Sequence, residues 1–114
     1  MGAARRSWAA KNGDQLVAFI RSYVAAIDWL QQPGNKDEAV SIYLKNLPKV
    51  PKPVAEKSYD VMFAVNEGFQ KKAKLDLEGA RMVLKLRSEF AKPQKNLTDP
   101  MKYIDESYYR KAVQ

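Results

Sequence analysis

Cysteine and histidine are both absent from the 114 residues. Without cysteine there is no disulfide, thiolate nucleophile or thiolate metal ligand. Without histidine the commonest general base, the Ser-His pair and the usual zinc sites are excluded. Long apolar runs are also missing. The longest apolar stretch contains Arg21 and Asp28 and does not read as a membrane span. No apolar segment follows Arg5-Arg6, so no secretory signal is visible, and Ser7 is one place late for the myristoylation pattern. Read alone, the chain is expected to be soluble and cytosolic, with no cofactor and no enzymatic activity.

What is present is an ordinary globular composition, 46% hydrophobic and 29% charged, which rules out a disordered or low-complexity chain. The length suits one domain that can build a core without staples. Net charge is +7, with nine basic and five acidic groups in residues 1–57 and eleven and eight in 58–114. The charge is spread rather than held in a tail. Lys71, Lys72 and Lys74 form the densest cluster. Nucleic acid is not an expected partner, because the usual footprint is a basic patch on one face. A basic helical nucleic-acid binder remains the third reading.

Apolar residues recur at Leu16, Phe19, Ile20, Tyr23, Val24, Ile27 and Leu30, one stripe of an α-helix over 14–32. Asp14 is its expected N-cap, and Pro33-Gly34 ends it. Residues 5–11 form a preceding helical turn that docks Trp8. Asn35 to Glu38 spells N-x-x-E, a relative of the capping box, and opens a helix over 36–46. Lys45 to Pro53 carries three prolines and reads as a connector, with Pro53 in the first turn of a third helix over 53–66. Asp76 caps a fourth over 77–91, with Ala80, Val83, Leu84, Leu86 and Phe90 as its buried side. Gly79 inside it costs about 1 kcal/mol relative to alanine, which points to a close contact there. Thr98-Asp99-Pro100 reads as a cap followed by proline, opening a turn over 100–104. A last helix covers 106–113. The runs Val40–Leu44 and 61–65 are the strand alternatives, but both lie inside helical patterns and lack hairpin turns. The expected fold class is all-α, four main helices plus short terminal ones, in residues 1–114 as a single helical domain or fragment.

The chemical candidates are few. Asp37/Glu38 and Asp76/Glu78 sit at helix starts, where the macrodipole favours negative charge, and read as capping groups rather than metal ligands. Pro48-Lys49-Val50-Pro51 matches P-x-x-P but fits a helix–helix connector. Asn96-Leu97-Thr98 is a formal glycosylation sequon, with Thr98 already committed to capping. Most tyrosines and tryptophans fall on apolar stripes and are expected in the core. Glu67-Gly68-Phe69 reads as a turn that tucks Phe69 inward. No catalytic, cofactor or metal residue is assignable.

Several landmarks follow a set order. Arg6-Ser7-Trp8-Ala9 and Asn12 precede the first stripe, which closes on Ala26-Ile27-Asp28-Trp29-Leu30. Asn35-Lys36-Asp37-Glu38-Ala39, Tyr59, Glu67-Gly68-Phe69 and Leu84-Lys85-Leu86-Arg87 follow. Leu97-Thr98-Asp99-Pro100 and Tyr103-Ile104-Asp105-Glu106-Ser107-Tyr108 close the set. This order resembles the C-terminal part of ABC-transporter substrate-binding proteins of the nitrate, sulfonate, taurine and thiamine-precursor group. The resemblance covers nearly the whole chain. It implies the helical end of a two-lobed α/β protein, a periplasmic setting and a permease as partner, with the ligand cleft formed by segments this chain does not match. The implied role is structural, in a truncated frame, an excised fragment or a separate small protein. The alternative is a stand-alone helical interaction module that self-associates, as a C2 dimer by default. Its candidate contacts are Phe19, Tyr23, Ile27, Leu30, Tyr108 and Tyr109.

Overall fold

The computed structural model describes residues 3–64 and 68–114, and all regular structure among them is helical. The helices are α1 (Arg6–Lys11), α2 (Gly13–Leu30), α3 (Lys36–Asn46), α4 (Lys52–Met62), α5 (Leu77–Phe90) and α6 (Ser107–Val113). Single 3-10 turns lie at Pro33–Asn35, Lys71–Ala73 and Pro100–Lys102. The four main helices are thus α2 to α5, with α1 and α6 as the short terminal ones. The chain divides into two compact units. Residues 1–17 and 75–114 form the first, and 18–74 the second.

In the second unit, α2 supplies the residues from Ala18 onward and closes on Ile27, which is 4% exposed. α3 and α4 pack against each other, and their buried positions, Ala39, Val40 and Ala55, are small. Small side chains let helix axes approach closely but bury little apolar area, so this core is thin. Polar ties compensate at the end of α2, whose last carbonyls lack intrahelical partners. Trp29 O accepts from Asn35 Nδ2 at 2.8 Å, and Leu30 O accepts from the Tyr59 hydroxyl of α4.

Asn35 therefore works backward. The N-x-x-E pattern predicts an N-cap for α3, but Asn35 makes no side-chain cap bond to that helix. Its amide is spent on α2. Asp37 and Glu38 still occupy the first turn of α3, where their charge opposes the helix dipole. Lys36 beside them bonds Asp60 of α4 at 2.5 Å and lies 5.9 Å from the centre of the Tyr59 ring. That hydrogen bond holds the Lys36 ammonium above its ordinary pKa.

Helix α4 ends at Met62, earlier than the apolar pattern predicts; residues 65 and 66 of the expected span lie outside the described residues. Phe63 leaves helical geometry as the C-cap, and its ring packs between Tyr59 and Phe69, with centroids 4.8 and 5.7 Å away. Phe69 is held by its backbone as well. Its N–H donates to Met62 O at 2.7 Å, and its carbonyl accepts from Gln31 Nε2 at 2.8 Å. The Phe69 ring nonetheless keeps an exposed edge, so the expected inward tuck is partial. Of the tripeptide read as a turn, Glu67 lies outside the described residues.

Lys72 and Ala73 both have positive φ, 55° and 52°. For residues with a Cβ this conformation costs roughly 1–2 kcal/mol each. Replacing Ala73 by glycine removes that cost but adds freedom to the unfolded chain, so a net gain of about 0.5 kcal/mol is expected. Urea denaturation should show a raised midpoint at unchanged slope.

In the first unit, α1 is tied to the 3-10 turn at residues 100–102 by Arg6, whose guanidinium donates to Lys102 O at 2.7 Å. Asn12 ends α1 by donating to Trp8 O through its backbone and side chain. Because α2 starts directly afterward at Gly13, Asp14 lies inside the first turn and is not the N-cap. Asp76 does cap α5, accepting from Gly79 N at 3.0 Å. A Cβ on Gly79 would sit 2.7 Å from Asp76 Oδ2, so the close contact expected of this glycine is the cap itself. Asp99, not Thr98, caps the turn at Pro100 by accepting from Met101 N at 2.9 Å.

Asp105 prepares α6 by accepting from the Ser107 N–H at 2.9 Å. The hydrogen bonds from Ser107, aided by Arg6 and Arg110, hold its carboxyl below the ordinary carboxylate range. A lowered folded pKa means that stability is present above the unfolded value and lost as pH falls through the folded one. The stability of the first unit should therefore fall gradually as pH drops below about 4. Asp105→Asn should flatten that fall in a series of thermal melts across this pH range.

Candidate functional site

Among the described residues there is no group of three or more acidic side chains placed to hold a metal. The carboxylates singled out by sequence are in structural use. Asp37 and Glu38 open α3, Asp76 caps α5, and Glu78 pairs with Arg81 one turn on. No helix among the described residues is long and apolar enough to cross a membrane. Lys71, Lys72 and Lys74 are exposed around a 3-10 turn rather than aligned along a helix face.

What the structure offers instead is apolar surface. On α5 the residues turned inward are Leu77, Ala80, Leu84 and Ser88, all half-buried. At 100° per residue, Met82, Val83, Leu86 and Phe90 lie on the opposite side. Their exposures are 54%, 61%, 47% and 71%. The sequence reading placed Val83, Leu86 and Phe90 with Ala80 and Leu84 on one buried side. The structure separates them, because α5 is apolar on two faces and only one has a partner. This outer stripe is the largest feature that sequence reasoning missed. The signal was there: Leu84 and Leu86 are 200° apart on a helix and cannot share a narrow face.

The second unit has a smaller exposed patch on α2. Phe19 and Tyr23, one turn apart, stack with centroids 6.4 Å apart and planes at 17°. Both are exposed. Of the other proposed contacts on this helix, Leu30 is half-buried, while Ile27 is core and offers no surface. The stripe is wider than one packing face, so its centre is covered and its rim is not. Tyr108 and Tyr109 belong to the first unit, both half-buried on α6. A Cβ on Gly13 would lie 3.5 Å from the Tyr108 ring, which places that ring over the start of α2.

Several aromatics expected inside are also exposed. Trp8, Tyr43 and Tyr103 join Tyr23 in this class. The buried positions among the described residues are mostly alanine, with Ile27, Val40 and Pro100 the larger exceptions. Large apolar groups at the surface and small ones inside reverse the usual assignment. Large contiguous apolar patches are a feature of surfaces that meet protein, membrane or ligand.

No family model, curated protein or solved structure matches the chain. The functional reading therefore rests on the residues and their geometry.

Proposed function

We propose that this chain is a helical packing element whose apolar faces are completed by further protein. The body it completes is a solute-binding protein of the ABC-uptake group to which its motif order is similar. The observation that carries the reading is the outer stripe of α5, four large apolar side chains on a helix whose other apolar face is already in use. In this role the chain is structural, works in the periplasm beside a permease, and performs no catalytic step. It supports a lobe and does not form the cleft for nitrate-, sulfonate- or taurine-like anions.

A fluorescence titration of the chain with nitrate, taurine and alkanesulfonates is the direct test. Flat curves are the expected result. Tight, saturable binding of any of the three overturns the structural role. The second reading, a self-associating helical module, is favoured by the exposed Phe19–Tyr23 stack. Under that reading Phe19→Ser lowers the sedimentation-average mass at high concentration.

A further inference from the structure

The first unit also contains a groove that the packing role leaves unused. It lies between α5 and the loop of residues 91–98, an open surface groove with a volume of about 830 Å³. Ser88 builds it. The Ser88 hydroxyl donates to Leu84 O at 2.8 Å and accepts from Leu97 N at 2.8 Å, pinning the loop back along the helix. One wall is the α5 stripe Arg81, Lys85 and Glu89, at successive i, i+4 positions. The facing rim is Lys95, Asn96 and Thr98.

These side chains define a ligand by what they lack and offer. Arg81, Lys85 and Lys95 are cations, and Asn96 and Thr98 add neutral donors. Arg81 shares its charge with Glu78, whereas Lys85 and Lys95 form no ion pair among the described residues. Two lysines without an ion pair lining one groove favour a compact anion with several acceptor oxygens. Glu89 is the exception, the one anionic side chain in a lining of cations and neutral groups. Its carboxylate repels a bare anion and gives inorganic phosphate at most one P–OH contact, but the carbon-borne hydroxyls of a larger ligand can donate to it without adding charge. No aromatic side chain lines the groove, so a nucleobase has nothing to stack on.

We propose that this groove binds a small phosphate ester bearing free hydroxyls, the chemistry of a sugar or polyol phosphate. Lys85 and Lys95 hold the phosphate, Asn96 and Thr98 complete its hydrogen bonds, and Glu89 accepts from a hydroxyl. The proposal stands on the first unit's geometry and is independent of the packing role, so either can fail alone.

An amide-shift titration of the full chain by NMR tests it, with glucose 6-phosphate, glycerol 3-phosphate, glucose and inorganic phosphate as probes. The two esters should give saturable shifts at residues 95–98, and glucose none. Lys85→Met and Lys95→Met, which keep most of the aliphatic stem, should each weaken ester binding roughly tenfold. Glu89→Gln should remove the preference for an ester over inorganic phosphate while leaving helicity intact. Unsaturable shifts, shifts that survive both lysine changes, or equal binding of inorganic phosphate to the unaltered chain would overturn the assignment.

Discussion

Gly68→Ala is expected to be the more damaging of the two glycine-to-alanine changes in the second unit, since a Cβ on Gly34 meets nothing within 4 Å. A Cβ at Gly68 would overlap the carbonyl oxygen of Met62 and sit 2.6 Å from its carbonyl carbon and 3.0 Å from Phe63 N. All three are backbone atoms at the end of α4, so no side chain can swing aside. The chain must move, and the bonds there depend on its position. Phe69 N–H to Met62 O, the Phe63–Phe69 stack and Gln31 to Phe69 O would all be displaced together. Overpacking of this kind costs about 1–3 kcal/mol, and the upper end applies because the obstruction is backbone. In a unit of this size each 1 kcal/mol lowers the melting temperature by roughly 4–8 °C. A thermal melt unchanged within 2 °C or so would show that the turn does not pass this close to α4. Gly79→Ala is the contrast. There the obstruction is the movable Asp76 carboxylate, and the alanine returns about 1 kcal/mol of helix propensity. The two effects nearly cancel.

These two glycines also show what the sequence disclosed. Gly79 was legible because a glycine inside a strong helical pattern demands a reason, and an aspartate three residues earlier supplies one. The clash at Gly68 was not, since it depends on where α4 ends. The apolar pattern runs past Met62 through Phe63, and only the Tyr59–Phe63–Phe69 packing shows why the helix stops there. The same limit explains Asn35. Its pattern announces a polar tie at a helix end, but two helix ends lie within reach, and the tertiary fold decides between them. The α-helices and their order, by contrast, were legible, because periods of 3.6 and proline positions are local properties; the 3-10 turns at Pro33–Asn35 and Lys71–Ala73 carry no such period and were not.

The site was legible only in part. Sequence identifies that a helix is apolar; it does not say how many of its apolar residues find partners. On α2 the stripe divides into a covered centre at Ile27 and an open rim at Phe19 and Tyr23. On α5 the apolar residues divide into two faces. The surplus of large exposed side chains is therefore a property of the packing, and it is what turns a helical chain into a proposed docking element.

The paired substitution Leu86→Glu with Phe90→Glu tests that step, and a large effect on association is expected. Both residues lie on the outer face of α5, 47% and 71% exposed, so neither anchors the helix to its own unit. Exposed substitutions of this kind change stability by about 0.5 kcal/mol or less. Helicity and melting temperature should stay near those of the parent. Association should not. Fully burying a leucine or phenylalanine is worth about 1.5–3 kcal/mol, and about half of Leu86 and over two-thirds of Phe90 remain to be buried, so the pair contributes about 2–3 kcal/mol to docking. Losing it weakens association by roughly 30- to 150-fold. Binding of an apolar dye should fall, and where the stripe also pairs copies of this chain, sedimentation equilibrium should shift toward monomer. Leu84→Ala, on the inward face, should do the reverse, costing about 2 kcal/mol of stability while leaving the outer stripe in place. If the outer pair unfolds α5 and Leu84→Ala does not, the two faces have been assigned the wrong way round. If the parent chain binds no apolar dye, the outer stripe is not a docking surface.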